Sequence, residues 1–224
     1  MPHRKSSRRH SGRRTIDKLL DATLYLFDAG CTLPACTVEL VCSEARVSQG
    51  LIYRRYNSSD AFLSAIFLRY LDRALAAPPE ELTASLYRPN LEDTAERVVR
   101  ALMRPYQNNP QMHRAMEQFL QLQPNTEYAA QAPERISEYM RHVAAVLIPH
   151  RALFAHPDPE RAAMIAVLNT ASAIEDTFFL LGPGWDNALP HTTQLFVAER
   201  SKALIAYLRA MPTAGPPRIS PQDF

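Results

Sequence analysis

Gln49, Gly50 and Leu51 stand together in the chain, and Tyr53, Arg54 and Arg55 follow one helical turn later. A glutamine amide can pair bidentately with the major-groove edge of adenine, and a leucine can meet a thymine methyl. A glycine between them removes the bulk that would hold a helix away from another surface. The phenol and two guanidinium groups that follow suit backbone phosphates. The chemistry implied for residues 47–56, VSQGLIYRRY, is recognition of a base-paired polyanion. Ser48 can cap the helix that would carry these groups. Val47, Ile52 and Tyr56 fall on its other side and are expected in the core.

Charge supports the same end of the molecule. The 224 residues carry a net charge of only +2, but residues 1–66 hold ten Lys and Arg against six Asp and Glu, whereas residues 67–224 are net acidic. The excess sits in an arm containing Arg4, Lys5, Arg8, Arg9, Arg13 and Arg14. Residues 1–13 are expected to be a flexible basic arm able to lie along a minor groove, where arginine is drawn to narrow stretches. Cys31, Cys36 and Cys42 have neither a disulfide nor a zinc-binding spacing, which suits a reducing, cytoplasmic setting. Membrane spans and a signal peptide are not expected: no apolar run approaches 20 residues, and Asp17, Asp21 and Asp28 interrupt the segment after the arm.

The elements that would position residues 47–56 read as helices. Ile16, Leu19, Leu20, Thr23, Leu24 and Phe27 share one helical face, and Gly30 ends it. Thr37 can cap a second, short helix with Glu39 in its first turn. A third runs from Ser48 to about Tyr56, and Asn57 with Asp60 resembles the cap of a fourth that ends at Pro78 and Pro79. Two short helices joined by a tight turn make a helix-turn-helix, which places its second helix in the major groove.

In "LLDATLYLF", "TVELV" and "ARVSQGLIYRRYNSSDAFLSAIF" the sequence resembles the DNA-binding domain of the TetR (tetracycline repressor) family over residues 14–67. The resemblance implies an all-α fold of about nine helices. Residues 14–66 would be the helix-turn-helix domain, residues 67–211 a larger ligand-binding and dimerisation domain, and residues 212–224 a disordered tail. Two positions depart from the family pattern. Arg46 stands where the turn usually carries glycine, and Ser59 where a lysine is usual. The expected DNA contacts are Thr37, Arg46, Ser48, Gln49, Gly50, Leu51, Tyr53, Arg54, Arg55 and Ser59.

Beyond residue 67, helices are expected at 91–107, 111–123, 133–148, 158–181 and 191–211. No catalytic, metal-binding or cofactor motif appears, so no enzyme activity, cofactor or metal is expected. Met103, Tyr106, Met112, Met116, Phe119, Tyr139, Phe154 and Phe178 are adaptable apolar side chains that could line a pocket for a small, largely apolar effector. Val167, Ala171, Ile174, Leu204, Tyr207 and Leu208 form apolar stripes on the last two helices. The resemblance implies that these stripes meet their copies in a homodimer. The expected partners are thus an operator duplex, a small-molecule effector and a second copy. The expected function is a repressor released by the effector; an activator of the same family, or a helical interaction module or enzyme without DNA binding, is the alternative.

Overall fold

The computed structural model describes residues 3–179 and 192–210. Within them lie ten α-helices, two short 3-10 turns and no strand. The expected stop at Gly182–Gly184, the first and last residues of the final helix, the tail and the arginine side chains at positions 4–13 lie outside this description. Helix α1 is His3–Asp28, α2 Val38–Ala45, α3 Gln49–Tyr53, α4 Ser59–Ala74, α5 Pro79–Leu86 and α6 Leu91–Asn108. Then come α7 Pro110–Leu122, α8 Glu127–Ala145, α9 Pro159–Phe179 and α10 Thr193–Arg209. The backbone of α1 begins at His3, within the basic segment.

Helix α5 was not anticipated. Pro78 and Pro79 read as a boundary, yet Pro79 opens the helix and Glu80 and Glu81 occupy its first turn, where carboxylates offset the helix dipole. Helix α8 begins six residues before Pro133, the expected start. Thr126 accepts from Ala129 N–H at 3.3 Å, and Pro133 lies inside the helix.

The backbone divides into two compact units. The first holds residues 1–78 and 104–139. Its core takes Leu19, Leu20 and Phe27 from α1, Val38 and Val41 from α2, Ile52 from α3 and Phe62, Ile66 and Phe67 from α4. Met112, Met116 and Phe119 of α7 and Tyr128 of α8 complete it. The Phe67 ring meets Phe119 edge-on at 5.2 Å and Tyr128 at 5.5 Å. Along the rim, Asp17 and Asp21 of α1 pair with Arg69 and Arg73 of α4 at 2.6 and 2.5 Å. Arg135 of α8 reaches Asp72 of α4 at 2.9 Å. Helices α1 and α4 are thereby held in register by charges four residues apart on each helix.

The second unit holds residues 79–103 and those from 140 onward. Here α9 packs on α10, and Ala162, Ala163, Ala166, Val167 and Ile174 of α9 and Val197, Ser201, Leu204 and Leu208 of α10 are buried. His150 is buried in this unit, 3.1 Å from the Thr94 hydroxyl and stacked on Tyr87.

In the first unit, His113 of α7 sits within 3.0 Å of the Tyr70 hydroxyl and against the Tyr106 ring. Burial pushes its pKa down to about 4. The unfolded chain therefore takes up this proton near pH 6.5 and the folded one only near pH 4. The stability that the neutral ring contributes is present above about pH 6.5 and is lost as pH falls through that window, up to about 3 kcal/mol. Denaturant melts at about pH 7 and about pH 4.5 should show a smaller acid loss for His113→Gln than for the parent chain.

Candidate nucleic-acid interface

Helix α3 is five residues long, too short to persist alone. Ile52 anchors it, with 1% of its surface exposed, and Val47 and Tyr56 flank it half-buried. The Tyr56 ring meets Phe62 of α4 edge-on at 5.7 Å. The buried and exposed sides of residues 47–56 are thus divided as the sequence suggests. Ser48, Gln49, Gly50, Leu51, Tyr53, Arg54 and Arg55 are all exposed, as are Thr37, Arg46 and Ser59.

The turn ahead of α3 is built by Arg46, whose φ of 53° and ψ of 44° are left-handed; it is the sole non-glycine residue with positive φ among those described. Its N–H bonds Ser43 O, and Val47 N–H bonds Cys42 O at 2.9 Å, the paired bonds that close a helix through a left-handed residue. Gly30, with φ of 92°, closes α1 in the same way: its N–H bonds Phe27 O and Cys31 N–H bonds Leu26 O. Arg46 therefore occupies a glycine position and leaves its guanidinium on the surface beside α3.

Capping differs in detail from the expectation. Thr37 Oγ1 accepts from Leu40 N–H at 3.2 Å, as predicted. Ser48 stands at the start of α3, but its hydroxyl makes no capping bond. Ser58, not Asn57, caps α4 by accepting from Ala61 N–H at 3.1 Å. Ser59 is the first residue of that helix, one position past the cap.

Three side chains on this surface already have partners. Arg54 Nε donates to Gly50 O at 2.9 Å, folding back along α3. The Arg55 guanidinium lies 5.6 Å from the centre of the Tyr56 ring. The Tyr53 hydroxyl donates to Glu39 Oε1 in the first turn of α2. That bond, followed by the backbone N–H of α2, draws the Glu39 carboxyl below the usual carboxylate range and raises the Tyr53 phenol. Glu39 was read from the sequence only as favourable to its own helix. Fourteen residues separate it from Tyr53, and no local spacing announces the pair.

The other expected groups are placed differently. Met112, Met116 and Phe119 belong to the core of the first unit, with 4% or less of their surface exposed. Met103 is equally buried, whereas Tyr106, Tyr139, Phe154 and Phe178 are half-buried. Val167, Ile174, Leu204 and Leu208 are buried within the chain. Ala171 and Tyr207 are half-buried. The large apolar groups that α9 and α10 leave exposed are Leu168 and Leu195. A charged groove of about 340 Å³ in the second unit is lined by Arg88, Asp93, Glu96, Arg97 and Arg100. Among the described residues no cluster of three or more His, Cys, Asp or Glu is placed to hold a metal ion, and no helix is long and apolar enough to cross a membrane.

No family model and no curated protein matches the sequence. Solved structures do. A protein described as a TetR-family transcriptional regulator from Mesorhizobium loti MAFF303099 superposes with a TM-score of 0.63 at 15% identity, over 87% of this chain and 95% of that one. The fatty acid degradation regulator FadR from Bacillus halodurans gives 0.61 at 15% identity, over 87% and 96%. A protein described as a transcriptional regulator from Pseudomonas aeruginosa PAO1 gives 0.59 at 20% identity, over 87% and 89%. The architecture is therefore the all-helical one of transcriptional regulators. More narrowly, the chain has the TetR-type fold, spanning nearly the whole length of those neighbours.

Arginine in the left-handed region costs roughly 1–2 kcal/mol, part of which glycine's greater freedom in the unfolded chain offsets. Arg46→Gly should raise unfolding stability by about 1 kcal/mol, read as an upward shift of the denaturant midpoint at unchanged slope.

Proposed function

We propose that the protein is a dimeric, effector-responsive regulator that binds duplex DNA through α3. The carrying observation is Gly50. A Cβ built there would meet only Ser48 Oγ, at 3.7 Å, which is ordinary contact. Its φ is not in the left-handed region, so neither packing nor backbone geometry within this chain requires glycine. Glycine inside a helix costs about 0.5–1 kcal/mol relative to alanine. A residue that weakens a five-residue helix and serves nothing inside the chain suits close approach to something outside it, and the neighbours' descriptions as transcriptional regulators support DNA as that partner.

In this reading Gln49 and Leu51 meet base edges, while Arg46, Tyr53, Arg54 and Arg55 meet phosphates. Thr37 and Ser59, at the first turns of α2 and α4, offer hydroxyls and N–H groups to the flanking backbone. The basic segment at the start of α1 adds phosphate contacts. A two-fold operator requires two such heads, and a second copy would dock on the outer faces of α9 and α10, where Leu168, Leu195, Ala203 and Ala206 are exposed. The effector would be a small apolar molecule, in keeping with one neighbour's role in fatty acid degradation, and would act by favouring a conformation that fits the operator poorly. Repression relieved by that molecule in the cytoplasm is the expected mode.

Selection from random duplexes should recover a palindrome bound by a dimer with a steep salt dependence, and a screen of apolar carboxylic acids should release it. Recovery of no preferred sequence would exclude the reading. Gly50→Ala separates function from folding: stability should rise by about 0.5–1 kcal/mol while affinity for the selected duplex falls at least about tenfold. Unchanged affinity would show that close approach at this residue is not needed.

A further inference from the structure

On the surface that carries Gln49, Leu51, Tyr53 and three exposed arginines, one carboxylate is engaged directly with a proposed phosphate ligand. Glu39, fully exposed in the first turn of α2, accepts the hydroxyl proton of Tyr53 at the end of α3. A phenol has one proton to donate. While the hydroxyl donates to Glu39 it is not available to a phosphate oxygen. The carboxylate itself also faces the potential of any DNA that reaches Tyr53, and like charges brought together lower affinity.

Resting on the DNA-binding reading above, we propose that Glu39 gates Tyr53: docking transfers the Tyr53 hydroxyl bond from the Glu39 carboxylate to a DNA phosphate. The exchange replaces one anionic acceptor with another, so the hydrogen bond itself is nearly balanced. What is added is the repulsion between Glu39 and the phosphate. That cost is met when Gln49 and Leu51 find their bases and hold α3 in the groove. On duplexes lacking those bases the phenol stays on Glu39. The residue is thus a positioning residue for Tyr53 and sets how much base recognition is needed before the phosphate contact closes. Arg54 and Arg55 do not compete for this role, because Arg54 is bonded to Gly50 O and Arg55 lies over Tyr56.

Glu39→Gln keeps an acceptor oxygen at the same reach and removes the charge. Full-length parent, Glu39→Gln, Tyr53→Phe and the double variant are compared on the selected duplex and on a mixed-sequence duplex of equal length, across a salt titration. Glu39→Gln should bind both duplexes more tightly, with a steeper salt slope, and should gain about three- to fivefold more on the mixed-sequence duplex than on the selected one, so that discrimination narrows by that factor. Tyr53→Phe should cost more in the Glu39→Gln background than in the parent, because only there is the phenol free to serve phosphate from the outset. Separately, and without DNA, the Tyr53 ¹³Cζ resonance should titrate above an ordinary tyrosine in the parent and move back toward the ordinary range in Glu39→Gln. Unchanged or weaker binding by Glu39→Gln, or additive losses across the four proteins, overturns the gate while leaving the DNA-binding reading intact. A parent chain that selects no duplex overturns that reading first.

Discussion

The burial of Ile52 is the interaction on which the recognition surface depends. Nucleating a helix carries an equilibrium factor of order 10⁻³, about 4 kcal/mol, and five residues add too few bonds to recover it. Burying an isoleucine completely contributes about 1.5–3 kcal/mol, and the docking of Tyr56 against Phe62 adds to it. Helix α3 is therefore a consequence of tertiary packing. Its exposed residues keep their relative positions because one side chain is inserted among α1, α2 and α4. That insertion in turn needs α1 and α4 to hold register, which the Asp17–Arg69 and Asp21–Arg73 pairs help define. Surface pairs, half-buried at Asp17–Arg69 and exposed at Asp21–Arg73, contribute little energy, but they favour one alignment of the two helices over its neighbours.

A short helix held from one side leaves its other side almost entirely free of structural duty. Gln49, Gly50, Leu51, Tyr53, Arg54 and Arg55 are exposed because the fold uses only Val47, Ile52 and Tyr56. The strained feature of the head lies just outside that surface, at Arg46. A glycine would close the turn with less strain, and arginine there places a cation beside α3. Strain kept at the edge of a proposed binding surface is consistent with a role that stability alone does not explain.

The division of residues 47–56, the Thr37 cap and the Gly30 stop were all legible in the sequence, whereas the turn at position 46 was marked only by the family resemblance. Each is a local pattern: a period, a capping residue or a backbone preference. What was not legible depends on contacts distant in the chain. Helix α5 was hidden because Pro78 and Pro79 signal both an end and a beginning. Pro133 suggested a helix start because proline is rare inside helices, yet the Thr126 cap lies upstream and α8 continues through it. The Ser58 cap displaced Asn57 by one residue, within the precision that capping rules allow. The Glu39–Tyr53 bond joins two helices and has no sequence signature.

The methionine-rich and apolar stripes show a different limit. Periodicity says that a helical face is buried; it does not say what covers it. Met112, Met116 and Phe119 are covered within the first unit, and Val167, Ile174, Leu204 and Leu208 are buried within the chain. The strongest stripes are thus consumed inside the chain, since the most apolar face gains most from burial during folding itself. A face that waits for a second copy must stay soluble until the copy arrives, so it is expected to be weaker and mixed. The exposed sides of α9 and α10 have that character: Leu168 and Leu195 stand among Ser172, Glu175, Glu199 and Lys202, with Ala203 and Ala206 leaving room for a neighbouring backbone. The proposed dimer contact belongs on this weaker side of the two helices, because the stronger side has already been used to build the unit that would present it.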